Sequence, residues 1–428
     1  MTLSFDVVVV GAGPGGIAAA VTAAEAGSRV CLIDDNSAPG GQIWRRMADE
    51  STQPPLYRYW IARLRATDCQ VWSGMSVIST PAPNLLRLEG RTKVDSLAGA
   101  EVHDLAFRRL ILATGARERF LPFPGWTLPG VMGVGAAQAF LKSGYSAAGK
   151  SVIVAGSGPL LLAVAAGLCG QGAVVDGIYE QASFFHLAKF GLTLVGQPEK
   201  LLEGATYRHQ AWSAPYRTGC WVLKAEGDKC LERVTISNGR RLWTVPCQLL
   251  ACGFHLVPNL ELPRLLGCQI EDGFVRVDTL QQSSLAQVAC VGELTGIGGL
   301  DKALIEGQIA GWNAAGSPQM AAHLKGQLAK QQRFAERLSL AFQLRPELRA
   351  LASAETLLCR CEDVRFHDVS QTANAREAKL HTRFGMGACQ GRVCGSAAEF
   401  LFGWEQESPR PPLVPCSVAT LATPSEEA

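Results

Sequence analysis

The sequence predicts an α/β chain built on two Rossmann-like strand–glycine loop–helix–strand units. The first is expected to resume after the second, and a small cysteine-bearing module closes the chain. Three observations carry this. Residues 7–10, within a strand expected from Phe5, form an apolar run that enters GAGPGG and then an alanine-rich stretch. The same order returns from Lys150, where SVIVAGSGPLL leads through an apolar helix to a strand ending at Glu180. Late in the chain stand two tight cysteine pairs, Cys359 with Cys361 and Cys389 with Cys394. An unbroken apolar run into a glycine turn and a helix is the signature of a parallel strand buried on both faces.

Taken in order, residues 15–26 read as a helix closed by Gly27, and 29–33 as the next strand, ending in Asp34 and Asp35. A less regular stretch carrying Trp44, Trp60 and Trp72 leads to the strand LILATGA at 110–116. Short alternating runs over 200–250 fit strands, and 287–316 reads as strand, glycine loop and helix. Residues 319–350 look helical, with Phe334, Leu338, Leu340 and Phe342 on one buried face. The expected organisation is a first domain of 1–117 and 275–318, a second of 118–274, a helical linker of 319–354, a cysteine module of 355–404, and an extended, partly disordered tail of 405–428.

Composition narrows the class. At 428 residues the chain is too long for one ordinary core. A hydrophobic content of 47% with 45 glycines suits a soluble α/β enzyme. A formal net charge of +2 offers no long-range attraction to nucleic acid or an acidic membrane. The opening apolar run is too short for a signal peptide or a membrane span, so a cytoplasmic location is expected. Fourteen cysteines without a secretory leader then imply reduced thiols. Cys31, Cys169, Cys247, Cys252 and Cys290 lie in apolar runs, where thiols pack as small hydrophobes.

The first loop sets Gly11, Gly13 and Gly16 in G-x-G-x-x-G spacing. Gly11 permits the turn, Gly13 lets a pyrophosphate approach the backbone, and Gly16 lets helix and strand pack closely. Asp34, ending the next strand, is placed to accept ribose hydroxyls. Three further features argue for FAD. Gly40, Gly41 and Gln42 follow the acid, Thr114 and Gly115 end a returning strand, and Gly292 and Glu293 offer a carboxylate to the ribityl chain. A helix starting near Gly298 would aim its positive end at the flavin pyrimidine. The order of these features resembles the two-dinucleotide-binding flavoproteins, in which an FAD domain is interrupted by a second nucleotide domain. That family has Asp where this chain has Glu293.

The second loop keeps Gly156 and Gly158 but has Leu161 at the third glycine position, and Glu180 stands where a ribose-binding acid would. Two readings stay open: a site for a second nucleotide (NAD or ATP), or a retained scaffold that binds none. No C-x-x-C occurs, so no redox disulfide is expected. His186 and His255 lack motif partners, and no catalytic acid–base set is visible.

Cys359, Cys361, Cys389 and Cys394 supply four soft ligands, suited to a 2Fe-2S cluster or to zinc; four free thiols are the third possibility. Zinc ribbons favour C-x-x-C knuckles, which are absent. Gly385, Gly387, Gly391 and Gly395 would turn N–H groups toward the sulfurs, and Arg360, Arg383 and Arg392 would offset their charge. The text CRCEDV…TRFGMGACQGRVC resembles the bacterioferritin-associated-ferredoxin-like 2Fe-2S module. Together with ATGARERFLPFPGWTLPGV at 113–131, the chain resembles the FAD- and 2Fe-2S-binding alpha subunits of heteromeric dye-linked amino and imino acid dehydrogenases.

That resemblance implies an electron-transfer protein whose substrate, of hydroxyproline, proline or opine type, is oxidised on a glycine-oxidase-like FAD partner. It also implies, as a further candidate partner, a small ferredoxin-like subunit, together with a peripheral link to a quinone or other acceptor. Two alternatives stand beside it: a self-sufficient NAD(P)H-dependent flavin oxidoreductase, and an assembly scaffold whose second nucleotide site is non-catalytic.

Overall fold

A computed structural model describes residues 3–45, 53–90, 101–405 and 409–424. The chain divides into two compact units, one of Met1–Arg117, Pro258–Glu336 and Ser408–Ala428, the other of Glu118–Val257 and Arg337–Glu407.

In the first unit the opening strand Leu3–Val10 lies at the centre of a seven-stranded sheet, parallel to Val30–Asp34 on one side and to Glu101–Leu112 on the other. Besides Leu3–Val10, Glu101–Leu112 serves two further partners. Its first half pairs antiparallel with Leu85–Gly90, and its last three residues pair parallel with Val288–Cys290. That second pairing returns the chain to the sheet after the segment Glu118–Val257 of the other unit.

Alternation along the opening strand sends Val7 and Val9 into the core beneath the helices, and Val8 and Val10 into the core on the opposite face. Both faces are therefore covered, as the unbroken apolar run requires. The helices Pro14–Glu25 and Leu300–Ala314 pack backbone to backbone. A Cβ on Gly307 would lie 2.2 Å from the Gly15 carbonyl oxygen, and one on Gly311 would lie 2.7 Å from that of Ala19.

The tail does not run free. Leu413 N–H donates to the Ile78 carbonyl at 2.8 Å, and a short helix, Val418–Ala422, follows. Glu89 accepts from Ser417 N–H and from the Thr420 hydroxyl, while Arg87, ion-paired with Asp104 at 2.8 Å, donates to the Thr423 and Pro424 carbonyls. Proline content alone leads to the expectation of an extended tail. Side chains of the strand Leu85–Gly90 supply hydrogen bonds that composition does not reveal. Residues 425–428 of the tail lie outside the described set.

The second unit holds a parallel five-stranded sheet in which Ser151–Ser157 lies between Val174–Glu180 and Leu249–Phe254. An antiparallel meander is formed by Trp221–Glu226, Arg233–Ser237 and Leu242–Pro246. The cysteine module consists of a hairpin, Leu357–Cys359 with Val364–Arg365, and three helices ending with Cys394–Phe402. It shares one continuous core with the meander, in which Leu358, Val364, Cys394 and Ala397 join Trp126, Trp221, Val222 and Phe254. Trp126 Nε1–H donates to the Leu357 carbonyl at 2.7 Å.

The expected linker resolves into the helix Lys325–Ala341 flanked by short 3₁₀ turns, and the division between the units falls inside it, after Glu336. Leu338 and Phe342 are buried, but Leu340 is 69% exposed and does not share their face. Two residues along a helix is a rotation of about 200°, which places Leu340 opposite Leu338.

Candidate functional site

The first glycine loop is built by steric necessity. A Cβ on Gly11 would lie 2.3 Å from the Ala113 carbonyl oxygen, and one on Gly16 would lie 1.8 Å from that of Gly11. Gly13 differs: a Cβ there meets nothing within 4 Å. Packing therefore explains the first and third glycines, while the second faces open space, as a position approached by a ligand should. Asp34 is buried at the end of its strand. One carboxylate oxygen accepts from Ala12 N–H at 2.5 Å, the other from Asn36 N–H at 2.7 Å. Gly40 N–H donates to the Ala12 carbonyl, and a Cβ on Gly41 would lie 2.9 Å from the Gly13 Cα. Gln42 is exposed beside them. Gly11, Gly13, Gly16, Asp34 and Gly41 thus gather at the carboxyl ends of two inner strands of the sheet.

Thr114 and Gly115 are clasped by a residue that the motifs do not announce. The Thr114 hydroxyl donates to the Asn259 carbonyl at 3.0 Å, Asn259 Nδ2–H donates to the Thr114 carbonyl at 2.8 Å, and Asn259 N–H donates to that of Gly115 at 3.0 Å. No sequence signal points to Asn259, because its partners lie far away along the chain.

Glu293 accepts from Gly298 N–H at 2.9 Å and Gly299 N–H at 3.1 Å, so its carboxylate caps the turn into the helix Leu300–Ala314. Both oxygens thus have a role within the chain, beside the one the sequence suggests. Burial raises the Glu293 carboxyl above its usual range, against the pull of those N–H groups. Behind the turn lies a buried ion pair: Lys302 Nζ is 2.8 Å from Glu306, with side chains 3% and 0% exposed. Glu306 accepts from Gly292 N–H at 2.8 Å, and Lys302 donates to the Gly292 carbonyl and the Thr295 hydroxyl. In sequence the pair reads as a solvated i,i+4 bridge.

At the second loop, Gly156 packs so tightly that a Cβ would lie 1.8 Å from the Gly253 carbonyl oxygen, whereas one at Gly158 meets nothing within 4 Å. Leu161 is absorbed in the core among Val164, Leu168 and Val154, so the missing third glycine is accommodated by apolar packing. Glu180 is fully buried and accepts from Gly158 N–H at 2.9 Å and Ala182 N–H at 2.8 Å. Burial pushes its carboxyl up to about 7.

The four C-terminal cysteines come together. Cys394 hydrogen-bonds to Cys359 and to Cys389, and Cys389 contacts Cys361, giving an unbroken path of sulfurs. Hydrogen bonding from Cys394 draws the Cys359 thiol down to about 6 and the Cys389 thiol to about 4, with Gly385 N–H assisting the first and Val393 and Gly391 N–H the second. Cys394, the shared donor, is pushed up. Gly395 N–H serves the Gly391 carbonyl instead, and Gly387 makes room for Cys361, whose Cβ would lie 2.4 Å from one placed there. Of the arginines, Arg383 pairs with Glu362 at 2.6 Å and Arg360 lies over the Trp126 ring. Cys359 and Cys394 are buried, Cys389 is half-buried and Cys361 exposed. Among the described residues no three His, Cys, Asp or Glu side chains converge as a single metal ion would require.

The remaining candidate cysteines behave as packing. Cys31, Cys247, Cys252 and Cys290 are buried, and burial pushes the Cys31 and Cys247 thiols up to about 12. Cys169 is half-buried. His186 is exposed, and burial, with Arg119 nearby, lowers His255 to about 4. No described helix is long and apolar enough to cross a membrane.

Comparison with known proteins bears on the family and the fold. A family model described as pyridine nucleotide-disulphide oxidoreductase matches residues 5–317. Hydrogen cyanide synthase subunit HcnB of Pseudomonas aeruginosa is 31% identical, over 90% of this chain and 90% of its own length. An opine oxidase subunit from Rhizobium meliloti is 30% identical, over 98% of each chain. The crystal structure of L-proline dehydrogenase from P. horikoshii superposes with a TM-score of 0.71 at 18% identity, covering 99% of this chain and 80% of that one, a likeness of fold.

Proposed function

The chain belongs to the pyridine nucleotide-disulphide oxidoreductase family and is an FAD-dependent oxidoreductase, and from that premise we propose an electron-transfer role for it. It is the FAD- and 2Fe-2S-containing subunit of a heteromeric dehydrogenase or oxidase. The amino or imino acid, of hydroxyproline, proline or opine type, is oxidised on a partner flavoprotein subunit. The observation that carries this reading is the unbroken sulfur path through Cys359, Cys394, Cys389 and Cys361, in a chain that also keeps an intact first glycine loop.

The residues fit both groups. Gly13 leaves the open face a pyrophosphate needs, with Gly11, Gly16, Asp34 and Gly41 gathered around it and Thr114 and Gly115 held by Asn259. A 2Fe-2S cluster shares four thiolates between two irons, so three of them need not converge on one point. Cys359 and Cys389 are already shifted toward thiolate by N–H and thiol donors, the charge state that iron ligation requires. When bound, FAD takes electrons in pairs and releases them singly, and the cluster carries one at a time. The chain's own part is to hold these groups and keep water from the buried pair Cys359 and Cys394, while Cys361 and Cys389 leave one edge of the set toward the surface of their unit. No residue is needed as acid or base on a substrate, in keeping with a substrate site on another chain. The names of the relatives, both of them subunits, support a partner.

Anaerobically purified protein is expected to contain iron and acid-labile sulfide, about two of each per chain. Cys389→Ser should remove both and leave the flavin spectrum unchanged. Stoichiometric zinc without sulfide would overturn the cluster assignment, and a purified chain unable to take up FAD would favour the scaffold alternative.

A further inference from the structure

In a Rossmann-like sheet a dinucleotide lies across the carboxyl ends of the strands, its pyrophosphate at the glycine loop and its ribose at the acid ending the second strand. In the second unit these two places are the strand end at Ser157, between Gly156 and Gly158, and the bend at Gln181, next to Glu180. Both side chains are buried, Ser157 at 5% and Gln181 at 0% exposure. What they bond to is the chain's own backbone.

The Ser157 hydroxyl donates to the Phe342 carbonyl at 3.1 Å. Gln181 Nε2–H donates to Ser157 Oγ at 2.9 Å and to the Gln343 carbonyl at 3.2 Å, while Gln181 Oε1 accepts from Arg345 N–H at 3.2 Å. The amide is thus used at both ends, as a side chain pairing with an extended strand would be. Phe342, 5% exposed, sets its ring edge-to-face against Phe190, in the helix that follows the second strand. The Arg345 guanidinium lies 4.9 Å from the centroid of the Trp221 ring.

We infer that residues 342–345 fill the ribose side of the second nucleotide crevice, so that NAD(H), NADP(H) and ATP have no place there while the segment is seated. The site that the fold implies has become an anchor for the chain entering the cysteine module. Only the glycine-loop end remains open, since a Cβ at Gly158 would meet nothing. The inference deepens the relay reading by denying pyridine nucleotides the second crevice, yet it does not depend on the thiols holding iron.

The test is hydrogen–deuterium exchange on the full chain loaded with FAD, with and without millimolar NAD⁺, NADH or ATP, read at residues 156–161 and 342–345. Reading at 156–161 separates this site from the first loop whether or not FAD has loaded. Failure of the flavin reading would show instead in the visible spectrum. The expected result is no added protection at 156–161 with any of the three, and slow exchange at Arg345 in every sample. Gln181→Ala should speed exchange at Arg345 about fivefold, as loss of one hydrogen bond predicts. Residues 110–112 of the first unit serve as the folding control. Saturable protection of 156–161 by any of the nucleotides, whether 342–345 is released or stays put, would overturn the proposal.

Discussion

Replacing Glu180 by glutamine should change the pH dependence of stability more than stability itself. The carboxyl is fully buried, and burial moves it from an ordinary 4.5 to about 7 against the pull of the Gly158 and Ala182 N–H groups. Below pH 4.5 both folded and unfolded forms carry the proton, and the group costs nothing. Between 4.5 and 7 the unfolded chain ionises first, so stability falls as pH rises. Above 7 the penalty is complete, roughly 3 kcal/mol at 1.36 kcal/mol per tenfold. Glutamine removes the charge but turns an NH₂ toward one of two backbone donors, which costs about 1–3 kcal/mol at every pH. Glu180→Gln should therefore be less stable than the parent at pH 5 and equal to it or better at pH 8. Urea unfolding followed by tryptophan fluorescence at both values measures this. Glu118, also raised to about 7 by burial, is common to both proteins and cancels in the difference. If the two stability curves run parallel from pH 5 to 8, Glu180 does not retain its proton in the fold.

Two further substitutions probe the first unit. Gly13→Ala adds a Cβ that meets no protein atom, so it should cost no more than about 1 kcal/mol while weakening FAD retention, measured by dialysis and visible absorbance. Gly16→Ala drives its Cβ into the Gly11 carbonyl and should cost about 3 kcal/mol or more; equal losses in the two variants would contradict the division between packing and approach. Lys302→Met strands the Glu306 carboxylate in a fully buried position and should cost about 3–5 kcal/mol in denaturant unfolding, with much of it recovered by adding Glu306→Gln. A cost below about 1 kcal/mol would mean the pair contributes no more than a surface bridge.

The parts legible in the sequence are those with local periodic signatures. Residues 7–10 have to be a doubly buried strand because nothing polar interrupts them, and Gly11 and Gly16 follow from the turn geometry that such a strand must enter. The four cysteines are legible because their spacing is tight and their neighbours are glycines. What escapes is long-range and polar. Asn259 closes on Thr114 across many residues, Lys302 and Glu306 look like a solvent pair, and Arg87 and Glu89 capture the tail by hydrogen bonds to its backbone. Side chain to backbone bonds leave no pattern in the sequence of the backbone partner. Leu340 escapes for a simpler reason: apolar residues close together in a helical stretch share a face only where their angular spacing allows it.

The cysteine module is not an independent body, and the cause is physical. A module of about fifty residues buries too little apolar surface to offset the ordering of its own loops, and a cluster of four thiols would leave it weaker still unless metal is bound. Here the deficit is met by a shared core: Leu358, Val364 and Ala397 of the module continue into Trp126, Trp221 and Phe254 of the second unit. A shared core fixes the module only if the chain entering it is also fixed, and that entry is the stretch held by Ser157 and Gln181. The strand ends at the second loop, where Ser157 and Gln181 present buried hydrogen-bonding groups, are the ready place to hold such a stretch. Seating the chain there rigidifies the approach to Cys359 and closes the second nucleotide site by the same contacts. The loss of one binding site and the ordering of the thiol set are, on this geometry, a single structural event.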